Sequence, residues 1–245
     1  MLWKEVGLTR AREPIGIEKL DQILHGGLIR GKTYLVAGET GTGKTIFAMQ
    51  FLIHGASSLG QPGLYVSGDE DIESLINGVR EFGWNVDELI DTDRLHFLSL
   101  VSEFPEKFDS KALKIGVRTL VERIEKWSKQ FNIKRLVLDP IAPFILGEDR
   151  LNWVREYVRR LITEIERRIG CTTIMTSEVP TGSNALSRYG IEEYLASGVI
   201  VLRLEKGIRG YRRIMVIRKM RWTPIKPMEL EFDIVPGKGI VIVEI

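Results

Sequence analysis

The chain has 245 residues, 44% of them hydrophobic and 28% charged, enough for one large α/β core and short for two. Its 35 basic and 33 acidic residues leave a net charge of +2, which excludes a strong bulk-charge argument for nucleic acid or an acidic membrane. The lone cysteine excludes a disulfide framework, no apolar run approaches the ~20 residues of a membrane span, and Lys4 and Glu5 interrupt any leader-like start, so a cytoplasmic protein is expected.

In chain order, Thr33-Tyr34-Leu35-Val36-Ala37 reads as a buried strand and Ile46 to Leu52 as a helix. Between them stands Gly38-Glu39-Thr40-Gly41-Thr42-Gly43-Lys44-Thr45, a Gly, four residues, then Gly-Lys-Thr. This is the phosphate-binding loop pattern, in the strand–loop–helix setting it requires. Gly38, Gly41 and Gly43 let the backbone turn tightly, so that successive N–H groups point at phosphate oxygens. Lys44 supplies a point charge for the outer phosphates, the Thr45 hydroxyl can join a Mg²⁺ shell, and the helix adds its positive dipole end. Nucleotide binding, with ATP and Mg²⁺ as cofactors, is the expectation.

Gly63 to Ser67 follows as a strand behind a Pro-Gly turn, and Ile72, Leu75, Ile76, Val79 and Phe82 recur at helical spacing. Leu95 to Leu98 is a third strand, and Leu100 to Ser110 a candidate mobile loop. Leu113, Val117, Leu120, Val121, Ile124 and Trp127 mark one face of a long helix before the strand Arg135 to Leu138. Leu151, Val154, Val158, Leu161, Ile162 and Ile165 mark another, before an apolar strand that opens at Cys171 and makes that thiol a buried structural one. His25, His54 and His96 stand too far apart to suggest a zinc site. The alternation predicts βαβ units around a mostly parallel sheet with helices on both faces. From about residue 198 the strands Val199 to Leu202, Ile214 to Ile217 and Gly239 to Val243 have no long helices between them, which predicts an antiparallel extension of the same sheet. Without a linker or repeat, residues 1–245 read as a single domain.

The acids that follow strands belong to the same site. Asp139 ends an apolar strand, where such an acid holds Mg²⁺ directly or through water. Asp69 and Glu70 follow the second strand, at a strand end where ligands collect, and a carboxylate there can orient and deprotonate a water. Asp69, Glu70 and Asp71 also suit the N-terminus of the next helix, and one acid can cap while another catalyses. Thr176-Ser177-Glu178 reads equally as a sensor of the terminal phosphate or the water or as a polar strand end, and the Gly-, Ser- and Pro-containing loop Val179 to Gly190 as a functional one.

Several stretches, in order, carry a resemblance. They are Gly16-Ile17-Glu18-Lys19-Leu20-Asp21 with Gly26-Gly27-Leu28; Tyr65-Val66-Ser67-Gly68-Asp69-Glu70; Phe82-Gly83-Trp84; Thr172 to Glu178; Arg188-Tyr189-Gly190-Ile191-Glu192-Glu193; and Lys219-Met220-Arg221. With the phosphate loop, they make the chain resemble the RecA-like ATPases, and within them a single KaiC-type domain, from about residue 12 onward. The resemblance implies a three-layer RecA-like P-loop fold and an ATPase that assembles as a homohexamer with sites between subunits. It makes Asp69 and Glu70 the catalytic pair, with Asp69 shorter by one methylene than the Glu usual in the family, so that turnover is expected to be slow or to depend on Glu70. Lys219 and Arg221 read by themselves as surface charge on a strand edge; the resemblance implies that they reach the neighbour's terminal phosphate, as an arginine finger does.

Two readings of function follow. The first is a Mg²⁺-dependent ATPase with a regulatory or assembly role, self-associating, with Lys44, Asp69, Glu70, Lys219 and Arg221 acting on ATP and Thr45 and Asp139 on the metal. The alternative is an ATP-gated nucleic-acid-binding accessory protein of recombination or repair, whose Arg188 and Tyr189 would contact phosphate and stack on bases.

Overall fold

A computed structural model describes residues 10–100, 110–141, 151–182, 185–207 and 210–243. A two-residue ribbon, β1 (Arg12–Glu13) paired with β2 (Leu28–Ile29), brackets the short helix α1 (Glu18–Ile23). Then come β3 (Thr33–Gly38), α2 (Lys44–Ser58), β4 (Gly63–Ser67), α3 (Ile72–Glu81), α4 (Val86–Asp91) and β5 (Leu95–Ser99). The long helix α5 (Ser110–Phe131), β6 (Arg135–Asp139), α6 (Leu151–Glu164) with a π-helical end Ile165–Ile169, and β7 (Thr172–Glu178) complete the βαβ part. The short helix α7 (Glu192–Leu195) leads to β8 (Gly198–Gly207), β9 (Gly210–Met220), β10 (Met228–Val235) and β11 (Gly239–Ile242). Most of the stretch expected as a mobile loop, 100–110, lies outside the described residues.

These strands form one nine-stranded sheet, β11-β10-β9-β8-β3-β7-β6-β4-β5. The run from β8 to β5 is parallel, and β9, β10 and β11 each pair antiparallel with their neighbour, as the change of pattern near residue 198 predicts.

Side-chain alternation along the parallel strands builds two cores, one on each face. Leu35, Leu64, Val66, Leu136, Leu138 and Met175 face α5 and α6, where Val117, Val121, Ile124, Val158 and Leu161 are buried. Tyr34, Val36, Tyr65, Val137 and Ile174 face the other way, toward Phe47, Met49, Phe51 and Leu52 of α2, with Leu75, Val79 and Leu89 of α3 and α4. A strand apolar at every position suits a layer buried on both faces, and so the three-layer expectation holds. Cys171 is buried with its thiol donating to the Ile133 carbonyl at 3.1 Å, and burial pushes its pKa up to about 11.

Register sets where the chemistry falls. Gly38 lies opposite Glu178 on β7 and opposite Leu202 on β8, while Ser67 lies opposite Asp139 across β4 and β6. The C-terminal ends of β3, β4, β6 and β7 therefore open on one side of the sheet, where ligands bind in such folds. At the opposite edge Gly198, opposite Tyr34 on one side, pairs with Met220 of β9 on the other.

Candidate nucleotide site

The phosphate loop leaves β3 at Gly38, where a Cβ would fall 2.4 Å from the Leu202 carbonyl oxygen and 2.7 Å from the Thr42 hydroxyl. Only glycine fits so close to the adjoining strand. Gly43 enters α2 with φ 104°, a left-handed conformation that also favours glycine, and no side chain caps the helix. The first N–H groups of α2 thus stay available to an anion, with the helix dipole behind them. Lys44 curls back over the loop and donates to the Gly38 and Glu39 carbonyls at 3.0 and 2.9 Å. Burial lowers its pKa, while Glu178, Asp139 and Asp69 oppose that shift.

Asp139, 7% exposed at the end of β6, is the hub of the site. Its Oδ2 accepts from the Thr45 hydroxyl at 2.9 Å and from the Tyr65 hydroxyl, and its Oδ1 accepts from the Thr176 hydroxyl. The cleft around it, about 390 Å³, is lined by Thr40, Gly41, Gly43, Lys44, Thr45, Ile46, Tyr65, Asp69, Glu70, Asp139, Pro140, Glu178 and Ile234.

The acidic run after β4 divides its labour. Asp71 caps α3, its carboxylate accepting from the Ser74 N–H at 3.0 Å. Glu70 is fixed through its backbone: its N–H donates to the Ser67 hydroxyl at 3.0 Å, and that hydroxyl donates to the Glu70 carbonyl at 2.5 Å. Asp69 and Glu70 are left facing the cleft. Burial first, then the charges of Asp139, Glu178 and Glu70, push the Asp69 pKa up to about 6. Burial and the neighbouring Asp139 and Asp71 raise that of Glu70 as well. A carboxylate titrating near neutral pH suits proton abstraction.

The three residues at the end of β7 have separate tasks. Thr176 orients Asp139, Ser177 turns away to donate to the buried Glu192 at 3.1 Å, and only Glu178 lines the cleft. The loop beyond is tied to the phosphate loop, for the Gly182 N–H donates to the Glu39 carboxylate at 2.8 Å. Arg188 lies 3.6 Å from Glu178 and over the Tyr189 ring.

Lys219 and Arg221 are not brought into this cleft. They stand at the far end of the sheet, where β9 meets the start of β8. The Lys219 ammonium donates to the carbonyls of Glu193 at 2.8 Å and Ala196 at 2.7 Å, and Arg221 to that of Tyr194 at 2.8 Å. Both thus bind the C-terminal carbonyls of α7, beside Tyr194 and Trp222, which are 66% and 72% exposed. Burial and then the Arg221 charge lower the Lys219 pKa to about 8, with Glu193 opposing.

The donor set suits a nucleotide-bound magnesium ion better than a protein cage. Among the described residues no three His, Cys, Asp or Glu converge to hold an ion by themselves. Mg²⁺ commonly takes one or two protein oxygens, several waters and substrate phosphates. Thr45 and Asp139, joined by a hydrogen bond beside the phosphate loop, fit that role. Sequence reasoning gave neither Tyr65 nor Thr176 to Asp139: Tyr65 read as a strand position and Thr176 as a phosphate or water sensor or a polar strand end, and the cross-strand register brings their hydroxyls to that acid.

The family model "ATPase: KaiC" matches residues 13–245. The circadian clock oscillator protein KaiC of Prochlorococcus marinus strain MIT 9313 is 34% identical over 219 residues, 89% of this chain and 43% of that protein. That of Thermostichus vulcanus is 34% identical over 227 residues, 93% of this chain and 43% of that protein. The chain therefore spans less than half the length of the curated relatives it matches. The crystal structure of a KaiC-like protein from the hyperthermophilic archaeon Pyrococcus horikoshii OT3 superposes with a TM-score of 0.81 at 34% identity, covering 96% of this chain and all of that one. The fold is the RecA-like one, and the chain belongs to the KaiC ATPase family.

Proposed function

We propose that residues 1–245 act as one Mg²⁺-dependent ATPase domain whose active site is completed by a second copy of the chain in a ring, a hexamer, serving a regulatory or assembly role in the cytoplasm. The observation that carries this reading is the separation of the two halves of the site. The cleft holds Lys44 amid Asp69, Glu70, Asp139 and Glu178, while Lys219 and Arg221 lie at the opposite end of the same sheet.

In the proposed reaction the phosphate loop and the start of α2 bind the phosphates, and Lys44 turns from its loop carbonyls to the outer ones. Thr45 and Asp139 would hold Mg²⁺, which would supply neutralising charge to the phosphates. Asp69, ionised above about pH 6, orients and deprotonates the attacking water, with Glu70 beside it. Lys219 and Arg221 of the neighbour then meet the charge that develops on the transferred group. The test is ATP turnover beside light scattering. Wild type is expected to hydrolyse ATP as a multimer and Lys44→Ala to lose turnover by about 10²-fold or more. Full turnover by Lys44→Ala, or by a strict monomer, overturns the reading.

The Glu39–Gly182 bond favours a second reading, ATP-gated binding of nucleic acid through the loop after β7, because it joins that loop to the phosphate loop. Arg188 and Tyr189, its contact residues, are engaged with Glu178 and with each other. A gel shift with single- and double-stranded DNA, with and without ATP, decides: no ATP-dependent shift removes this reading.

A further inference from the structure

We propose that Tyr65 is a positioning residue for the metal side of the site, its hydroxyl fixing the Asp139 carboxylate in the one orientation that serves the ion. This rests on the reading of the cleft as a Mg·ATP site. Tyr65 stands on β4 with 1% of its surface exposed, its ring packed against Phe97 with centroids 6.0 Å apart. Its hydroxyl donates to Asp139 Oδ2, the atom that also accepts from Thr45, while Thr176 holds Oδ1.

An ionised carboxylate offers about four acceptor sites, two on each oxygen. Here Oδ2 is filled and Oδ1 has one site left. Three donors, from α2, β4 and β7, fix its rotation. Direct ligation of an ion by Oδ2 would require Tyr65 or Thr45 to give way. Partners of this kind, one bond away from a metal's own ligands, commonly set its affinity.

Packing and positioning make different predictions for Tyr65→Phe, which keeps the ring and removes one oxygen. The experiment titrates a fluorescent ATP analogue into the full chain in EDTA and again across a range of Mg²⁺ concentrations. For Tyr65→Phe the metal-free affinity is expected within twofold of wild type, and the Mg²⁺ needed for half of the metal-dependent gain is expected to rise about tenfold. Thr176→Val should move the same way, while Thr176→Ser, which keeps the donor, should titrate like wild type. A Mg²⁺ requirement unchanged within twofold or lowered in Tyr65→Phe overturns the inference, as does a metal-free affinity that falls in step with it. A wild type that gains no affinity from Mg²⁺ overturns the metal reading itself, and this inference with it.

Discussion

The two ends of the central sheet carry opposite electrostatic faults. At the C-terminal ends of β3, β4, β6 and β7, four carboxylates crowd one lysine, and burial first, then the neighbouring carboxylates, drives the pKa of Asp69 up to about 6. At the other end Lys219 and Arg221 stand together above the carbonyls of α7, and burial first, then the Arg221 charge, drives the pKa of Lys219 down to about 8. Each end is short of the sign that the other has in excess. A nucleotide would deepen the fault at the acidic end, and Lys44 with one Mg²⁺ would leave it under-compensated. On the proposed reading, stacking two copies end to face relieves both, and the exposed Tyr194 and Trp222 beside the basic pair supply apolar area for the contact.

Mixing would break this comparison most sharply. Arg221→Ala is expected to cut turnover by about 10³-fold, the low end of what a trans arginine contributes. Lys44→Ala spoils the cleft and leaves the basic end intact. If the two ends meet across a subunit boundary, an equimolar mixture of these two inactive variants regains part of the wild-type rate, because some boundaries join an intact cleft to an intact basic pair. A mixture no more active than its parts would show that both groups act within one chain or that Arg221 does not act on ATP.

A tenfold effect should come from pH at the basic end alone. A cation whose pKa has fallen to about 8 loses its charge as pH rises through that value, so the contribution of Lys219 to turnover should decline by about tenfold between pH 7 and 9. Arg cannot be deprotonated in that range. Normalised to its own maximum, Lys219→Arg should therefore hold its rate to at least pH 9. An alkaline limb identical in the two proteins would remove Lys219 from the mechanism.

The acidic end was the more legible in the sequence, for a physical reason. Its phosphate loop is local, with the residues of its pattern lying between Gly38 and Thr45, and the strand before it is buried at every position. Asp69, Glu70 and Asp139 follow strands, so the βαβ pattern alone puts them on one edge. Tyr65 and Thr176 were not assigned to the metal acid, because their roles depend on β4, β6 and β7 lying side by side, which is a matter of register. The strand β10 was also missed, although Met228-Glu229-Leu230-Glu231-Phe232-Asp233-Ile234 alternates strictly and Phe232 is fully buried. It carries Ile234 to the nucleotide cleft, so that omission hid part of the site as well. The basic end could be placed from the sequence only through resemblance, since Lys219 and Arg221 read as ordinary strand-edge charge until α7 is seen to hold them.

The smallest expected effect tests whether the acidic end is held against its own repulsion. Asp69 titrates near 3.8 as an ordinary Asp and at about 6 in the fold, so between those values the folded chain binds more protons than the unfolded one. Stability contributed at this position therefore falls as pH rises from about 4 to 6, and the loss is complete above that range. Asp69→Asn cannot ionise and escapes the penalty. The group is partly exposed and solvent screens it, so the gain is put at about 2 °C in Tm near pH 7.5, shrinking to nothing near pH 4. Because Mg·ATP would bring its own charges into the cleft, the measurement belongs on the nucleotide-free protein. A Tm that falls near pH 7.5 would mean that Asp69 is stabilised in its ionised form, and a difference that is the same at both pH values would mean that folding leaves its pKa unshifted; either result makes the electrostatic contrast between the two ends fail at its acidic half.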